Sequence, residues 1–228
     1  MKQLSAKLKS RGATAVVLTL ALGAAVYLNW SFSREAPPSL VVSDTAGEAV
    51  ETSAQARTDA QTGALNRRGL DEALEQEVKA AQKTGAPLCV ALLDLDDFKN
   101  LNDRLGHDAG DKALEHLVHV AKKIMRTQDQ LARYGGEEFV FLLPDTTATQ
   151  AVEVMKRLQR TLTAQYFLQD NERVLITFSA GVTDYRTGDT QTTLTKRADE
   201  AMYQAKESGR NGIRLQSSQH PDRGQLKA

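Results

Sequence analysis

The sequence predicts an α/β domain with a mixed sheet flanked by helices, preceded by one N-terminal transmembrane helix. Short apolar runs typical of buried strands alternate with amphipathic helical patterns between residues 57 and 215. Two strand-like runs are joined by a glycine turn, which predicts an antiparallel pair and therefore a sheet of mixed strand direction. A long charge-free stretch lies near the N-terminus.

The N-terminal region predicts a membrane anchor. Residues 1–12 form a basic tail without acids, and residues 13–30 carry no charge. As a helix the second segment would span roughly 27 Å, close to the thickness of a bilayer core. Tyr27 and Trp30 stand where interfacial aromatic residues are expected. A cleaved signal peptide is the alternative, since Ala24-Ala25 are small, but the length of the apolar run favours an uncleaved anchor.

The rest of the chain divides by composition into three parts. Residues 31–56 resemble a linker, because they are rich in small polar residues and contain Pro37-Pro38. Residues 57–215 carry the periodic patterns of a compact domain. The polar tail, residues 216–228, is expected to be disordered.

The elements of the compact domain follow from caps and periodicity. Asn66 is a suitable N-cap for a helix that ends near Gly85, and residues 87–95 are apolar enough for a buried strand. Residues 131–134 and 138–143 predict a β-hairpin, with Gly135-Gly136 supplying the positive φ angles of a two-residue turn. The remaining predictions are helices at 108–125, 147–164 and 192–208, and strands at 174–182 and 213–215.

Acidic residues follow two of the predicted strands. Asp94 ends the first apolar run, and Glu137 and Glu138 lie at the tip of the hairpin. If these strands are neighbours, Asp94 and Glu137 converge, and converging carboxylates repel each other unless a cation lies between them. Hard oxygen ligands favour Mg²⁺, and Mg²⁺ favours a phosphate-bearing substrate.

The overall charge excludes another class of partner. Lys plus Arg and Asp plus Glu each number 29, so the formal net charge is zero. A broadly basic nucleic-acid-binding protein would show a clustered positive excess. We therefore expect no nucleic-acid partner.

Five ordered motifs resemble one family. They are DAQTGALNRR (59–68), DLDDFKNLND (94–103), GHDAGD (106–111), GGEEF (135–139) and ADEAMYQAKESGRN (198–211). Their order and spacing over about 155 residues are similar to those of the GGDEF family of diguanylate cyclases, here with the variant GGEEF. The first motif departs from the family pattern at Ala60, Gln61 and Ala64, where the family often has Pro and Leu.

The resemblance implies a reaction and the groups that perform it. Two GTP molecules would condense to cyclic di-GMP with loss of two pyrophosphates, and a homodimer would bring one GTP from each subunit. The implied ligands for Mg²⁺, with Mn²⁺ as an alternative ion, are Asp94, the main-chain carbonyl of Leu95, and Glu137. Glu137 or Glu138 would assist deprotonation of the attacking hydroxyl, and the sequence does not decide between them.

The same resemblance implies residues that bind the nucleotide. Asn102 and Asp111 match the pair that reads guanine, and His107 lies between them. An Asp can accept hydrogen bonds from the N1–H and the exocyclic amine of guanine, which adenine cannot offer. The implied phosphate contacts are Lys99, Lys206 and Arg210, while Gly135 and Gly136 would let the main chain approach the nucleotide.

A second binding site for the product is also implied. Arg126 and Asp129 form an RxxD sequence just before the hairpin, where the family binds dimeric cyclic di-GMP as an inhibitor. Arg157 matches a secondary contact of that site. We therefore expect feedback inhibition by cyclic di-GMP.

Two questions remain open from sequence. A catalytically silent domain that binds GTP or cyclic di-GMP is the alternative function, although every motif acid and guanine-reading residue is present. The expected location is the bacterial inner membrane, single-pass, with the cyclase in the cytoplasm where GTP is found. The cations before residue 13 predict the opposite orientation. A mis-assigned start codon or a segment lying on the membrane surface would remove this conflict.

Overall fold

The computed structural model describes residues 57–216, which fold into helices packed on both faces of a sheet. The helices are α1 (Arg67–Thr84), α2 (Phe98–Leu105), α3 (His107–Ile124), α4 (Ala148–Thr163) and α5 (Gln191–Glu207). The strands are β1 (Leu88–Leu95), β2 (Gln130–Arg133), β3 (Glu138–Pro144), β4 (Phe167–Gln169), β5 (Glu172–Val174), β6 (Phe178–Asp184) and β7 (Ile213–Gln216).

The main sheet has five strands in the order β2-β3-β1-β6-β7. β1 lies at its centre and runs antiparallel to both β3 and β6, whereas β6 and β7 are parallel. The predicted mixed sheet is therefore confirmed. β4 and β5 form a separate two-stranded sheet.

The core consists of two layers on opposite faces of β1. Cys89, Ala91 and Leu93 pack with the layer that contains α3 and α4, while Val90 and Leu92 pack with the layer that contains α1 and α5. All eight residues of β1 are buried. A strand covered on both faces needs apolar residues at successive positions, which explains the uninterrupted apolar run in the sequence.

The structure differs from the predicted elements in one strand and contains two elements that the sequence did not predict. The single strand predicted at 174–182 is divided, since β5 ends at Val174 and β6 begins at Phe178. Helix α2 and the hairpin formed by β4 and β5 were not predicted. These short elements carry too few residues for a clear period, and α2 has no fully buried residue that would mark a core-facing stripe.

The predicted two-residue Gly135-Gly136 turn is also wrong. Residues 134–137 form a four-residue loop between β2 and β3, and neither glycine has a positive φ. A Cβ at Gly135 would lie 2.7 Å from Glu138 Oε2, so a larger residue there would displace the end of that flexible side chain. A two-residue turn with positive φ at both positions joins β4 to β5, at Asp170 (φ 48°) and Asn171 (φ 64°).

The structure corrects the predicted membrane location. None of the helices formed within residues 57–216 combines the length and apolarity that crossing a bilayer requires. This finding contradicts the predicted single-pass location in the inner membrane, which is not retained. The predicted tail 1–12, span 13–30 and linker 31–56 lie outside the described residues, as does the predicted C-terminal tail apart from Gln216.

A guanidinium fixes the loop between β2 and β3. Arg133 donates through Nε and Nη2 to the Gly136 carbonyl at 3.0 and 2.8 Å. Its Nη1 contacts Asp59 Oδ1 at 3.2 Å and Gln61 Oε1 at 2.6 Å. Asp59 in turn accepts hydrogen bonds from the amide and the hydroxyl of Thr62. Arg133 therefore joins the β2–β3 loop to the segment before α1, and Gln61, a departure from the family pattern, adds an acceptor to that clamp.

We expect Asp59→Asn to weaken this clamp in a pH-dependent way. Burial raises the pKa of Asp59, but the Thr62 hydrogen bonds and the Arg133 charge outweigh it, so the net pKa lies below its ordinary value of 3.8. The ionised carboxylate therefore stabilises the fold above the unfolded-state pKa, and this contribution is lost as the pH falls through the lower folded-state pKa. The free energy of unfolding at pH 7 should fall by about 1–2 kcal/mol.

Denaturant unfolding of wild type and variant between pH 7 and pH 3 measures this effect, and the difference between them should shrink as the pH falls. Glu75→Gln is the control, because Glu75 pairs with Lys79 on an exposed helix face and should change stability little. A difference between wild type and Asp59→Asn that does not depend on pH would contradict the assignment.

Gly181 permits close packing of α5 on β6. A Cβ at this position would lie 1.9 Å from the Ala198 carbonyl oxygen and 2.3 Å from the Met202 nitrogen, both of which belong to the α5 backbone. Gly181→Ala should therefore destabilise the domain by about 3 kcal/mol or more, as backbone atoms cannot rotate away. Gly212→Ala is the matched control, since its nearest neighbour would be Arg210 O at an ordinary 3.4 Å. Thermal unfolding of both variants tests the difference, and equal melting temperatures would refute it.

Candidate functional site

Three acidic residues meet at one end of the central strand. Asp94, the penultimate residue of β1, lies opposite Glu138 in the antiparallel register of β1 and β3. The Leu95 amide donates to the Glu137 carbonyl at 3.3 Å, which holds the preceding loop residue against the same strand end. Asp94 is only 7% exposed. The structure thus brings together the acids that the sequence places on separate strands.

The electrostatics of this cluster disfavour its full ionisation. Burial raises the pKa of Asp94, and the charges of Glu137 and Asp96 raise it further, while Lys206 opposes them. Burial likewise raises the pKa of Glu138, followed by the charges of Asp94 and Asp199. Buried carboxylates of this kind remain ionised at neutral pH only when positive charge is close to them.

Lys206 supplies such a charge. It lies in the last turn of α5, and its Nζ is 2.8 Å from Asp94 Oδ2. Within residues 57–216 no three side chains of His, Cys, Asp or Glu are grouped as metal ligands. The predicted set needs only two carboxylates and one main-chain oxygen, and a buried carboxylate beside further acids fits a hard divalent cation.

Asp96 links the end of β1 to the segment after α5. Its carboxylate accepts hydrogen bonds from Thr177 Oγ1 at 2.9 Å, Ser179 Oγ at 2.7 Å and the main-chain N–H of Asn211 at 2.9 Å. Arg210 Nε lies 3.6 Å from Asp97 Oδ1. Asp96 therefore holds the segment that carries Arg210 beside the cluster, and sequence reasoning assigned no role to this residue.

The predicted guanine-reading residues lie where α2 meets α3. Asn102 is half-buried on α2, while His107 and Asp111 are exposed on α3. Asn102 Oδ1 is buried and has no hydrogen-bond partner among the described residues. A Cβ at Gly110 would lie 2.0 Å from that oxygen, so glycine is required there for Asn102 to keep its position.

Lys99 and Gly136 are both exposed. Lys99 lies near the start of α2. A Cβ at Gly136 would meet open space, so the close approach of a nucleotide to this glycine stays a prediction. The Gly136 carbonyl is held by Arg133. Arg133 was not singled out from sequence, and only its position directly before the Tyr-Gly-Gly stretch could have indicated it.

The RxxD residues form a closed turn between α3 and β2. The Arg126 amide donates to Asp129 Oδ2 at 2.8 Å, and the Asp129 amide donates to the Arg126 carbonyl at 3.1 Å. Asp129 is 8% exposed, and its Oδ1 has no hydrogen-bond partner within the described part of the chain. Arg157 donates from α4 to the Ile124 carbonyl, two residues before Arg126. A surface pocket of about 450 Å³ includes Arg126, Asp129 and Lys122 in its lining.

Comparison with known proteins identifies the family. Residues 56–212 match the family model described as diguanylate cyclase, GGDEF domain. Diguanylate cyclase DgcP of Pseudomonas aeruginosa is 41% identical over 161 residues, which is 71% of this chain and 24% of that protein. Response regulator PleD of Caulobacter vibrioides is 40% identical over 159 residues, or 68% of this chain and 35% of that protein.

The solved structures agree with this match. The GGDEF domain of DgcB from Caulobacter crescentus, solved in complex with cyclic di-GMP, superposes with a TM-score of 0.68 at 31% identity. The match covers 70% of this chain and 93% of that one. The chain spans about a quarter to a third of the curated relatives named above. On the family model, the identities and the shared fold, this chain belongs to the GGDEF domain family of diguanylate cyclases.

Proposed function

We propose that this protein is a diguanylate cyclase that condenses two GTP molecules to cyclic di-GMP and two pyrophosphates. The observation that carries the proposal is the convergence of Asp94, Glu137 and Glu138 at the end of β1, with Lys206 bonded to Asp94. Its relatives named as diguanylate cyclases are 32–41% identical over the same domain.

The cluster suits a metal-bound triphosphate. Asp94, the Leu95 carbonyl and Glu137 would hold Mg²⁺, or Mn²⁺ in its place. Such an ion, when bound, stabilises negative charge on phosphate oxygens and on the departing pyrophosphate. The Lys206 ammonium would contact the phosphates as well as Asp94. Arg210 offers a guanidinium for bidentate contact with phosphate oxygens. Glu138, whose pKa is raised by burial and by Asp94, is suited to accept a proton from the attacking 3′-hydroxyl.

Guanine selection would take place at the meeting point of α2 and α3. The Asn102 Oδ1 atom is buried against Gly110 and has no hydrogen-bond partner within residues 57–216, so the side chain would turn outward to accept from a purine donor. Asp111, exposed on the neighbouring helix, would accept from the N1–H and the exocyclic amine. His107 and Lys99 lie at the starts of the two helices that form this corner. Because each domain would bind one GTP, we propose that a homodimer is the active form.

A silent domain that binds GTP or cyclic di-GMP without turnover is the alternative. Silent members of the family are expected to lack acids of the metal cluster or the guanine-reading pair. Here Asp94, Glu137, Asn102 and Asp111 are all present, and the two acids lie together at the end of β1. These residues favour the enzyme.

Glu137→Gln should lower the rate of cyclic di-GMP formation by at least about 100-fold, because an amide cannot replace a charged metal ligand. Product from GTP and Mg²⁺ is measured chromatographically with the full chain. Glu153→Gln, the same change in an exposed pair with Lys156 on α4, is the control and should retain activity. No product from folded, dimeric wild type would favour the silent domain, and an active Glu137→Gln variant would remove Glu137 from the metal site.

We also propose that cyclic di-GMP inhibits the enzyme at the RxxD turn. The support is the buried Asp129 carboxylate, whose Oδ1 has no hydrogen-bond partner within residues 57–216, beside an exposed Arg126 and a surface pocket. A guanine edge would donate to Asp129, and the guanidinium would contact phosphate or base oxygens. Arg157 approaches from α4.

Arg126→Ala should raise the inhibition constant for cyclic di-GMP by at least about tenfold, since a charge-assisted contact is lost. The measurement is initial rate against added product. Arg160→Ala, an exposed arginine on the same α4 helix as Arg157, should leave the inhibition constant unchanged. Inhibition of Arg126→Ala at the wild-type constant would place the inhibitory site elsewhere.

A further inference from the structure

The segment that carries Arg210 lies on the surface and is strained. Residues 208–211 follow the end of α5 and are all exposed, so packing in the core does not fix them. Arg210 and Asn211 both have a positive φ, 61° and 42°, although neither is a glycine. An L residue in this left-handed region costs free energy, and the conformation persists only where neighbouring contacts hold it. The contacts of this short segment therefore decide where the Arg210 side chain begins.

Hydrogen bonds from two separate elements hold Asn211. Its main-chain N–H donates to Asp96 Oδ2 at 2.9 Å. Its carbonyl oxygen accepts from Gln159 Nε2 at 2.6 Å, and the same Nε2 donates to Asn211 Oδ1 at 2.9 Å. Gln159 belongs to α4, whereas Asp96 directly follows β1. Both peptide groups of a strained residue next to Arg210 are thus bonded to side chains far away in sequence.

The contacts of Arg210 itself do not replace these bonds. The Arg210 N–H donates to the Ala205 carbonyl at 3.2 Å, which fixes only the side of the residue that faces α5. Arg210 Nε lies 3.6 Å from Asp97 Oδ1 in an exposed pair, and such a pair contributes little in water. Release of the Asn211 carbonyl would allow the two residues to leave the strained conformation. The Arg210 side chain would then leave the backbone in another direction.

We propose that Gln159 is a positioning residue that holds Arg210 for contact with the phosphates of GTP. The inference rests on the proposed function, because it takes a nucleoside triphosphate as the ligand of Arg210. Gln159 would not touch the nucleotide. Asp96 shares this task, but it lies beside the proposed metal ligands. Gln159 is therefore the partner that can be changed without altering the acidic cluster.

The test is a double-mutant cycle on the dissociation constant of 3′-deoxy-GTP, measured with Mg²⁺ and the full chain. This nucleotide lacks the attacking hydroxyl, so it binds without reacting. Gln159→Met keeps the volume and removes the donor, and it should weaken binding about fivefold, the effect of one or two lost hydrogen bonds. In an Arg210→Ala background the same change should alter binding by less than about twofold, because the residue that it positions is absent.

Gln76→Met is the matched control, since it is the same change at an exposed position of α1, and it should leave the dissociation constant unchanged. Equal weakening by Gln159→Met with and without Arg210 would indicate a general structural role and would overturn the inference. Unchanged binding in Gln159→Met or in Arg210→Ala would overturn it as well.

Cyclic di-GMP formation from GTP is measured in the same preparations, which separates this inference from the proposed function. Wild type that binds 3′-deoxy-GTP but forms no product from GTP would overturn the proposed function, while the cycle still decides the role of Gln159. Wild type that binds no nucleotide would overturn both.

Discussion

The site depends on one buried charge. Asp94 lies at the end of the central strand, covered on both sides by β3 and β6, and it is ionised at neutral pH only at a cost in desolvation. Lys206 compensates that charge from α5. The position of α5 therefore matters to the acids directly, and its packing on β6 depends on the absence of a side chain at Gly181. Gly181 lets α5 pack closely on β6, and Lys206 at the end of α5 then compensates the charge of Asp94.

Two charged residues, Asp96 and Arg133, connect the loops around the acidic cluster to neighbouring segments. Asp96 collects hydrogen bonds from β6, from the segment before it and from the segment after α5. Arg133 donates hydrogen bonds to the Gly136 carbonyl in the β2–β3 loop and to Asp59 in the segment before α1. Each acts through charge-assisted bonds, which are shorter and stronger than neutral ones. These bonds hold the loops that carry the proposed ligands in place.

The sequence predicted those elements that show a hydrophobic period or a recognisable motif. The long helices, β1 and the mixed sheet follow from apolar spacing, and the cluster of Asp94 and Glu137 follows from acids at two strand ends. The positive φ predicted for Gly135 is wrong, because the composition of a turn does not reveal which backbone conformation its glycines adopt. Asp96 and Arg133 bond to residues far away in sequence, and no local sequence pattern indicates such contacts. The β4–β5 hairpin was missed because two three-residue strands are too short to show alternation.

The hydrogen bond from the Asn211 amide to Asp96 spans 115 residues of chain. During synthesis the strand that carries Asp94 leaves the ribosome long before Lys206 and Asn211 exist. Until they arrive, the emerging chain holds the acids of β1 without their main counter-charge and without the last partner of Asp96. The site therefore lacks these two contacts until the end of α5 has docked. A nascent or truncated domain that lacks this helix end would contain most of the family motifs and still have no organised site.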